Sequence, residues 1–305
     1  MIKPSLEVNI CGISFKNPVI AASGTFGSVT EYNKFIDING IGGISVKGIT
    51  LHPKKGNPPP RIAETPSGIL NSVGLQNLGV DAFIEKELTE LLAFDTRIIA
   101  NINGNTLDEY CQVAEKLKGQ PVDFIELNIS CPNVEEGGAA FGAHPDMVYR
   151  TTKAVKACCG SPLIVKLTPN TADIRETAAA AQEGGCDAIS LINTVLGMAI
   201  DARTRRPVLG NITGGLSGPA IKPIALRMVW QAYQAVTVPI IGMGGISCAD
   251  DAVEFLLAGA SAVSVGTASL TNPTACTDIA EGLESYLEEN GIQSISELTG
   301  GLLID

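Results

Sequence analysis

A chain of 305 residues with 45% hydrophobic and 17% charged side chains has enough apolar residues to bury a large core and too little charge for a disordered chain. Its net charge of -11 opposes attraction to nucleic-acid phosphates or to an anionic membrane surface, so a small molecule or another protein is the expected partner. Residues 1–13 show no basic-then-apolar leader, and no window approaches the roughly 20 apolar residues of a membrane span, so a soluble cytoplasmic protein is expected.

Short β-branched runs alternate with stretches of helical period, the sequence form of repeated βα units. In chain order the predicted strands are Val19–Ala22, Gly43–Val46, Ile98–Ile102, Phe124–Ile129, Leu163–Leu167, Ala188–Ile192, Pro239–Gly242 and Ala262–Val265. Between them lie predicted helices such as Ala82–Phe94, Leu107–Leu117, Pro145–Ala157, Thr171–Glu183, Ala220–Ala235 and Ala249–Ala258. Asn105 and Pro219 stand just before two of these helices, and Asp173 lies in the first turn of a third, as capping chemistry favours. Eight such units predict an α/β chain closed into a (β/α)8 TIM barrel, a single domain over residues 1–305. No GxGxxG follows the first strand, which argues against an open dinucleotide-binding sheet. Three connections, Gly48–Asp81, Ser130–His144 and Asn193–Pro219, are too long for ordinary βα loops and are expected over the active site.

The eight cysteines include no CxxC pair and no zinc or iron–sulfur spacing, so most are expected as reduced core thiols and no metal site is expected. His52 and His144 are the only histidines, and acid–base work therefore falls to another residue type. In a barrel the reactive groups sit at the C-terminal strand ends. Here those ends read Ser23-Gly24, Lys47-Gly48, Asn101, Asn128, Lys166, Asn193-Thr194, Gly244-Gly245 and Gly266-Thr267.

A buried ammonium costs several kcal/mol unless it is paired. Lys47 and Lys166 at the ends of apolar strands therefore face either a bound anion or a neighbouring carboxylate. The asparagines either bind ligand or tie loops together. The glycine pairs after the last two strands suit a phosphate held by backbone N–H groups, although glycine also serves simply as a turn residue. A phosphate there, a flavin ring at the barrel mouth and Lys166 at the ring's pyrimidine edge make one continuous site, since a cation stabilises charge developing on the ring. Cys131 opens a glycine-rich segment above the mouth, where a thiol meets substrate.

The strings NISCPN (Asn128 to Asn133), NSVGLQN (Asn71 to Asn77), GLSGPAIKP (Gly215 to Pro223), SVKGIT (Ser45 to Thr50) and GMGGI (Gly242 to Ile246) together resemble the class 1 dihydroorotate dehydrogenases. Cysteine rather than serine at position 131 marks class 1. EEGGAAFG after Cys-Pro-Asn, GTFG (Gly24 to Gly27) and LGNITGGLSGPAIKP resemble subclass 1B rather than 1A. The resemblance implies FMN held at Ser23, Lys47, Gly48, Asn101, Asn128, Lys166, Ile192, Gly218, Gly244, Gly245, Gly266 and Thr267. It implies dihydroorotate held at Lys47, Asn71, Ser72, Val73, Gly74, Leu75, Asn128, Asn193 and Thr194. Cys131 is implied as the general base that removes the proton alpha to the ring carbonyl while the flavin accepts hydride. The subclass further implies a homodimer of catalytic chains within a heterotetramer, passing electrons to NAD through an FAD and iron–sulfur subunit. The rival readings are a dihydropyrimidine dehydrogenase-like flavin barrel, a subclass 1A-like enzyme using a soluble acceptor, and a non-catalytic binding barrel.

Overall fold

The computed structural model describes residues 3–129 and 142–304. The chain begins with the hairpin β1 (Val8–Ile10) and β2 (Ile13–Phe15), followed by β3 (Val19–Ala21), the one-turn α1 (Val29–Tyr32) and β4 (Gly43–Ser45). Within the first long connection come β5 (Ile62–Thr65) and β6 (Gly68–Asn71). A helical stretch follows, made of α2 (Val80–Ala82), a π-turn at Phe83–Glu87 and α3 (Leu88–Leu91). Then β7 (Arg97–Ile102), α4 (Leu107–Leu117), β8 (Phe124–Asn128), α5 (Pro145–Cys158), β9 (Leu163–Lys166), α6 (Ile174–Glu183) and β10 (Ala188–Leu191) alternate regularly. The second elaborated connection holds β11 (Val195–Met198), β12 (Ile200–Asp201), β13 (Arg206–Pro207) and β14 (Thr213–Ser217). The chain ends with α7 (Lys222–Tyr233), β15 (Ile240–Met243), α8 (Ala249–Leu257), β16 (Ala262–Val265), α9 (Ala268–Thr271) and α10 (Ala275–Asn290).

Eight parallel strands close the barrel in the order β10-β15-β16-β3-β4-β7-β8-β9, the predicted (β/α)8 architecture. Every residue of β3, β8, β9, β10, β15 and β16 is buried. Covered by helices outside and by side chains inside, such strands read as largely apolar runs, with buried polar exceptions such as Glu126 and Asn128 on β8. The β1–β2 hairpin turns through Cys11 and Gly12, at φ 54° and 84°. It brings Phe15 to 5.7 Å, ring to ring, from Phe124 at the start of β8, so an apolar plug covers the N-terminal end of the barrel. Among the described residues no helix is long and apolar enough to cross a membrane.

Two expectations change, on helix caps and on cysteines, and the long connections gain structure that the sequence did not show. Two of the long connections are not simple loops: β5 and β6 pair with β11 and β14 in a four-stranded antiparallel sheet of order β11-β14-β6-β5, built from segments more than a hundred residues apart. The cap of α4 is Thr106, whose hydroxyl accepts from Glu109 N at 3.1 Å, while Asn105 N is held by the Glu109 carboxylate at 2.6 Å; Asp173 is itself the cap of α6 and not a first-turn residue. Finally, of the described cysteines only Cys186 and Cys276 are buried, and Cys248 is exposed. The others lie partly exposed at helix faces, helix ends and a hairpin turn instead of in the strands that form the core.

Candidate active site

The barrel delivers the expected residues to one end. Ser23 follows β3, Lys47 and Gly48 follow β4, Asn128 and Lys166 close β8 and β9, and Ile192 to Thr194 follow β10. Gly244-Gly245 and Gly266-Thr267 follow β15 and β16. Cys131 lies outside the described residues.

On one side of the mouth, Gly48 packs into a polar corner. A Cβ at this position would lie 2.5 Å from Asn103 Nδ2, 3.2 Å from Asn101 Oδ1 and 3.3 Å from Leu75 Cδ2, so only glycine lets the chain pass. The 71–77 segment is held against this corner by Asn77. Its Nδ2 donates to Thr50 Oγ1 at 2.9 Å and to Leu75 O at 2.7 Å, and its Oδ1 accepts from Gly79 N at 2.8 Å. Asn57 N donates to Val73 O at 3.0 Å and Asn57 Nδ2 to Ser72 O at 2.9 Å. The expected substrate loop is thus built rather than loose. Ser72 Oγ within it is buried with no hydrogen-bond partner among the described residues, a polar atom available to a ligand.

Across the mouth, Asn193 Nδ2 donates to Asn128 Oδ1 at 3.4 Å, and Asn193 Oδ1 accepts from Thr194 N at 2.9 Å. Tyr110 Oη donates to Asn128 O at 2.7 Å, anchoring the end of β8. Thr194 packs so closely on β14 that a Cβ on Gly215 would fall 2.0 Å from its Oγ1. Asn71 Nδ2 reaches Gly215 O at 3.5 Å, so the antiparallel sheet joins the Asn71 and Thr194 segments. Asn170, absent from the sequence reading, donates to Thr194 O at 3.1 Å and accepts from Leu196 N at 3.0 Å.

The glycines after β14, β15 and β16 form a third group. Gly218, Gly244 and Gly245 have φ of 98°, 126° and 81°, values that side chains rarely adopt. A Cβ on Gly245 would meet Gly218 O at 2.9 Å, and one on Gly218 would meet Gly68 Cα at 2.8 Å. Thr267 Oγ1 donates to Ser217 Oγ at 2.8 Å. A cavity of about 470 Å³ is bordered by Gly218, Gly245, Ser247 and Thr267 with Ser67 and Gly68. Behind it Asp251 ties the β15 loop to α7 and α8: its carboxylate accepts from Lys222 Nζ at 2.6 Å and from Ser247 N at 2.8 Å and Oγ at 2.7 Å. Gly218 and Gly245 border this cavity with backbone at positive φ, and glycine backbone beside a cavity fits a phosphate-bearing cofactor. Ile192 bridges toward this group, its Cγ1 lying 3.3 Å from a Cβ built on Gly244. Ser23 makes no hydrogen bond to the other described site residues.

Besides Asn170, the sequence reading missed a buried acid. Glu126, on β8 and 3% exposed, accepts from Ser45 Oγ at 2.8 Å, Asn101 Nδ2 at 2.6 Å and Ser190 Oγ at 2.7 Å. Glu126 is influenced by the charge of Lys166, but no hydrogen bond or ion pair joins the two among the described residues. The signal was there: an acid inside the run FIELN is as anomalous as a lysine at the end of an apolar strand.

A sequence profile described as Dihydroorotate dehydrogenase matches residues 5–287. The chain is 58% identical, over 99% of its length and 100% of the relative's, to the dihydroorotate dehydrogenase B (NAD(+)) catalytic subunit of Alkaliphilus metalliredigens. It is 55% identical, over 99% and 100%, to the protein of the same description from Geotalea uraniireducens. Among solved structures, DHODH from Eimeria tenella in complex with ferulenol superposes with a TM-score of 0.82 at 26% identity, covering 97% of this chain and 88% of that one.

Proposed function

The chain belongs to the dihydroorotate dehydrogenase family, and on that footing we propose that it is the catalytic subunit of an NAD-linked enzyme that oxidises dihydroorotate to orotate in pyrimidine biosynthesis. The observation that carries this reading is the convergence at one barrel end of amides, two strand-end lysines and a glycine cradle. The family is flavin-dependent, and the finer assignment is FMN. One phosphate cradle, formed by Gly218, Gly244, Gly245, Gly266 and Thr267, and the lack of a dinucleotide fingerprint in the sequence support a mononucleotide. The bound flavin supplies the hydride acceptor.

The chain's own residues do the rest. The Asn71 to Leu75 segment, Asn128, Asn193 and Thr194 offer both donors and acceptors, which suits a ring of alternating N–H and C=O groups. Lys47 meets the substrate's negative charge and adjoins the Ser23-Gly24 turn: a Cβ on Gly24 would lie 3.3 Å from its Nζ. Cys131 is assigned as the base that takes the proton alpha to the carbonyl, on the strength of the NISCPN motif. A single domain, residues 1–305, holds the whole site, and the protein works in the cytoplasm. Its description as a catalytic subunit in relatives implies a partner subunit. We assign that partner as an FAD and iron–sulfur electron carrier bound to a homodimer of this chain in a heterotetramer.

The test is absorbance of purified protein in the flavin bands before and after addition of dihydroorotate, with extraction of the cofactor. Bleaching on addition and recovery of FMN are expected. FAD, or no flavin in folded protein, overturns the assignment.

A further inference from the structure

A carboxylate sealed inside a barrel demands a reason. Glu126 has neighbours that all donate to it: Ser45 and Asn101 to Oε2, Ser190 to Oε1. Burial alone would drive the acid neutral, but the charge of Lys166 and the hydrogen bonds from Ser190, Asn101 and Ser45 outweigh it. The pKa is held below the ordinary carboxylate range, and the group is an anion at neutral pH. Stability gives no such reason, because a buried charge pair is often replaceable by apolar residues of similar volume without loss. The groups it holds do. Asn101 Nδ2 is committed to Glu126 at 2.6 Å, which leaves Oδ1 to accept from Asn103 Nδ2 at 2.9 Å, so the carboxylate dictates which way the Asn101 amide faces. Lys166 stands in register with Asn128 on one side and Ser190 on the other, and Glu126 lies two residues before Asn128 on β8.

We propose that Glu126 is a positioning residue for dihydroorotate oxidation, fixing the Asn101 amide and offsetting the Lys166 charge that the flavin experiences. The proposal rests on the flavin reading above. A cation beside the ring favours its taking up electrons, and an anion on the neighbouring strand, two residues before that cation's register partner, weakens the effect. Removing the anion alone therefore raises the midpoint potential of the bound flavin.

Glu126→Gln is suited to the test. Its remaining oxygen keeps the bonds from Ser45 and Asn101, and its new N–H₂ donates to Ser190, whose hydroxyl rotates to accept. In a spectroscopic redox titration, E126Q is expected to shift the oxidised-to-reduced equilibrium about tenfold toward the reduced form, roughly 30 mV for a two-electron couple. K166Q is expected to shift it the other way, and E126Q/K166Q to lie between the two. If E126Q does not retain flavin, the step from K166Q to E126Q/K166Q decides, and an upward shift there supports the proposal. Wild-type midpoints in E126Q, or identical midpoints in K166Q and the double variant, overturn the proposal while the flavin reading stands. Wild-type protein that takes up no flavin overturns both.

Discussion

Cys131 carries the proton transfer in the proposed reaction, and a free thiol with a pKa of about 8.5 is poorly ionised at neutral pH. Activity should therefore rise with pH through that range. Cys131→Ser substitutes a much weaker acid, and loss of general-base assistance is typically worth 10² to 10⁴-fold, roughly 3 to 5 kcal/mol of barrier. Single-turnover flavin bleaching by dihydroorotate should slow by that factor with orotate binding retained; bleaching at the wild-type rate would remove Cys131 from the role. At the described end of the barrel, the residue-scale design is one of amides with both ends in use. Asn77 and Asn101 each make bonds from both the oxygen and the nitrogen, which fixes their orientation.

The element that the sequence reading did not anticipate is the antiparallel sheet over the barrel mouth. It places Gly215 against Asn71 in register and leaves no room for a side chain beside Thr194. Gly215→Ala should cost about 1–3 kcal/mol by overpacking and, by displacing Thr194, raise KM for dihydroorotate more than it lowers stability elsewhere in the site. An unchanged KM would detach this sheet from substrate binding. The loop after β15 depends on Asp251 in the same way. Burial by itself raises the pKa of this carboxyl, but hydrogen bonds from Lys222 and Ser247 outweigh it and lower it from 3.8 to about 2. A depressed folded-state pKa means the stabilisation is present above about pH 4 and is lost as pH falls toward 2. Asp251→Asn should therefore melt below wild type at pH 7 and converge with it on acidification. A difference that is constant across pH 2–7 would refute the charge-based account.

For the whole molecule, the absence of a dinucleotide fingerprint and of iron–sulfur cysteine spacing in the sequence sets the last expectation. The isolated chain reduced by dihydroorotate should not pass electrons to NAD at a useful rate. Adding the partner subunit should allow multiple turnovers, followed as NADH absorbance. Rapid NADH formation by the chain alone would refute the two-protein scheme.

The barrel was legible in the sequence because a parallel strand covered on both faces is predominantly apolar. Runs such as LIVK and AVSV therefore announce themselves without any knowledge of their partners. The strand-end residues were legible for the same reason, since a polar side chain at the end of such a run stands out. What depended on tertiary structure was pairing at a distance. β6 and β14 carry no strong strand signal of their own, and they form a sheet only because the closing barrel brings their two connections together. Glu126 is the same case on the scale of one side chain. A lone acid in an apolar strand is unexplained until the fold sets Ser45, Asn101, Lys166 and Ser190 around it, since hydrogen bonds and Coulomb attraction depend on separation in space, not along the chain.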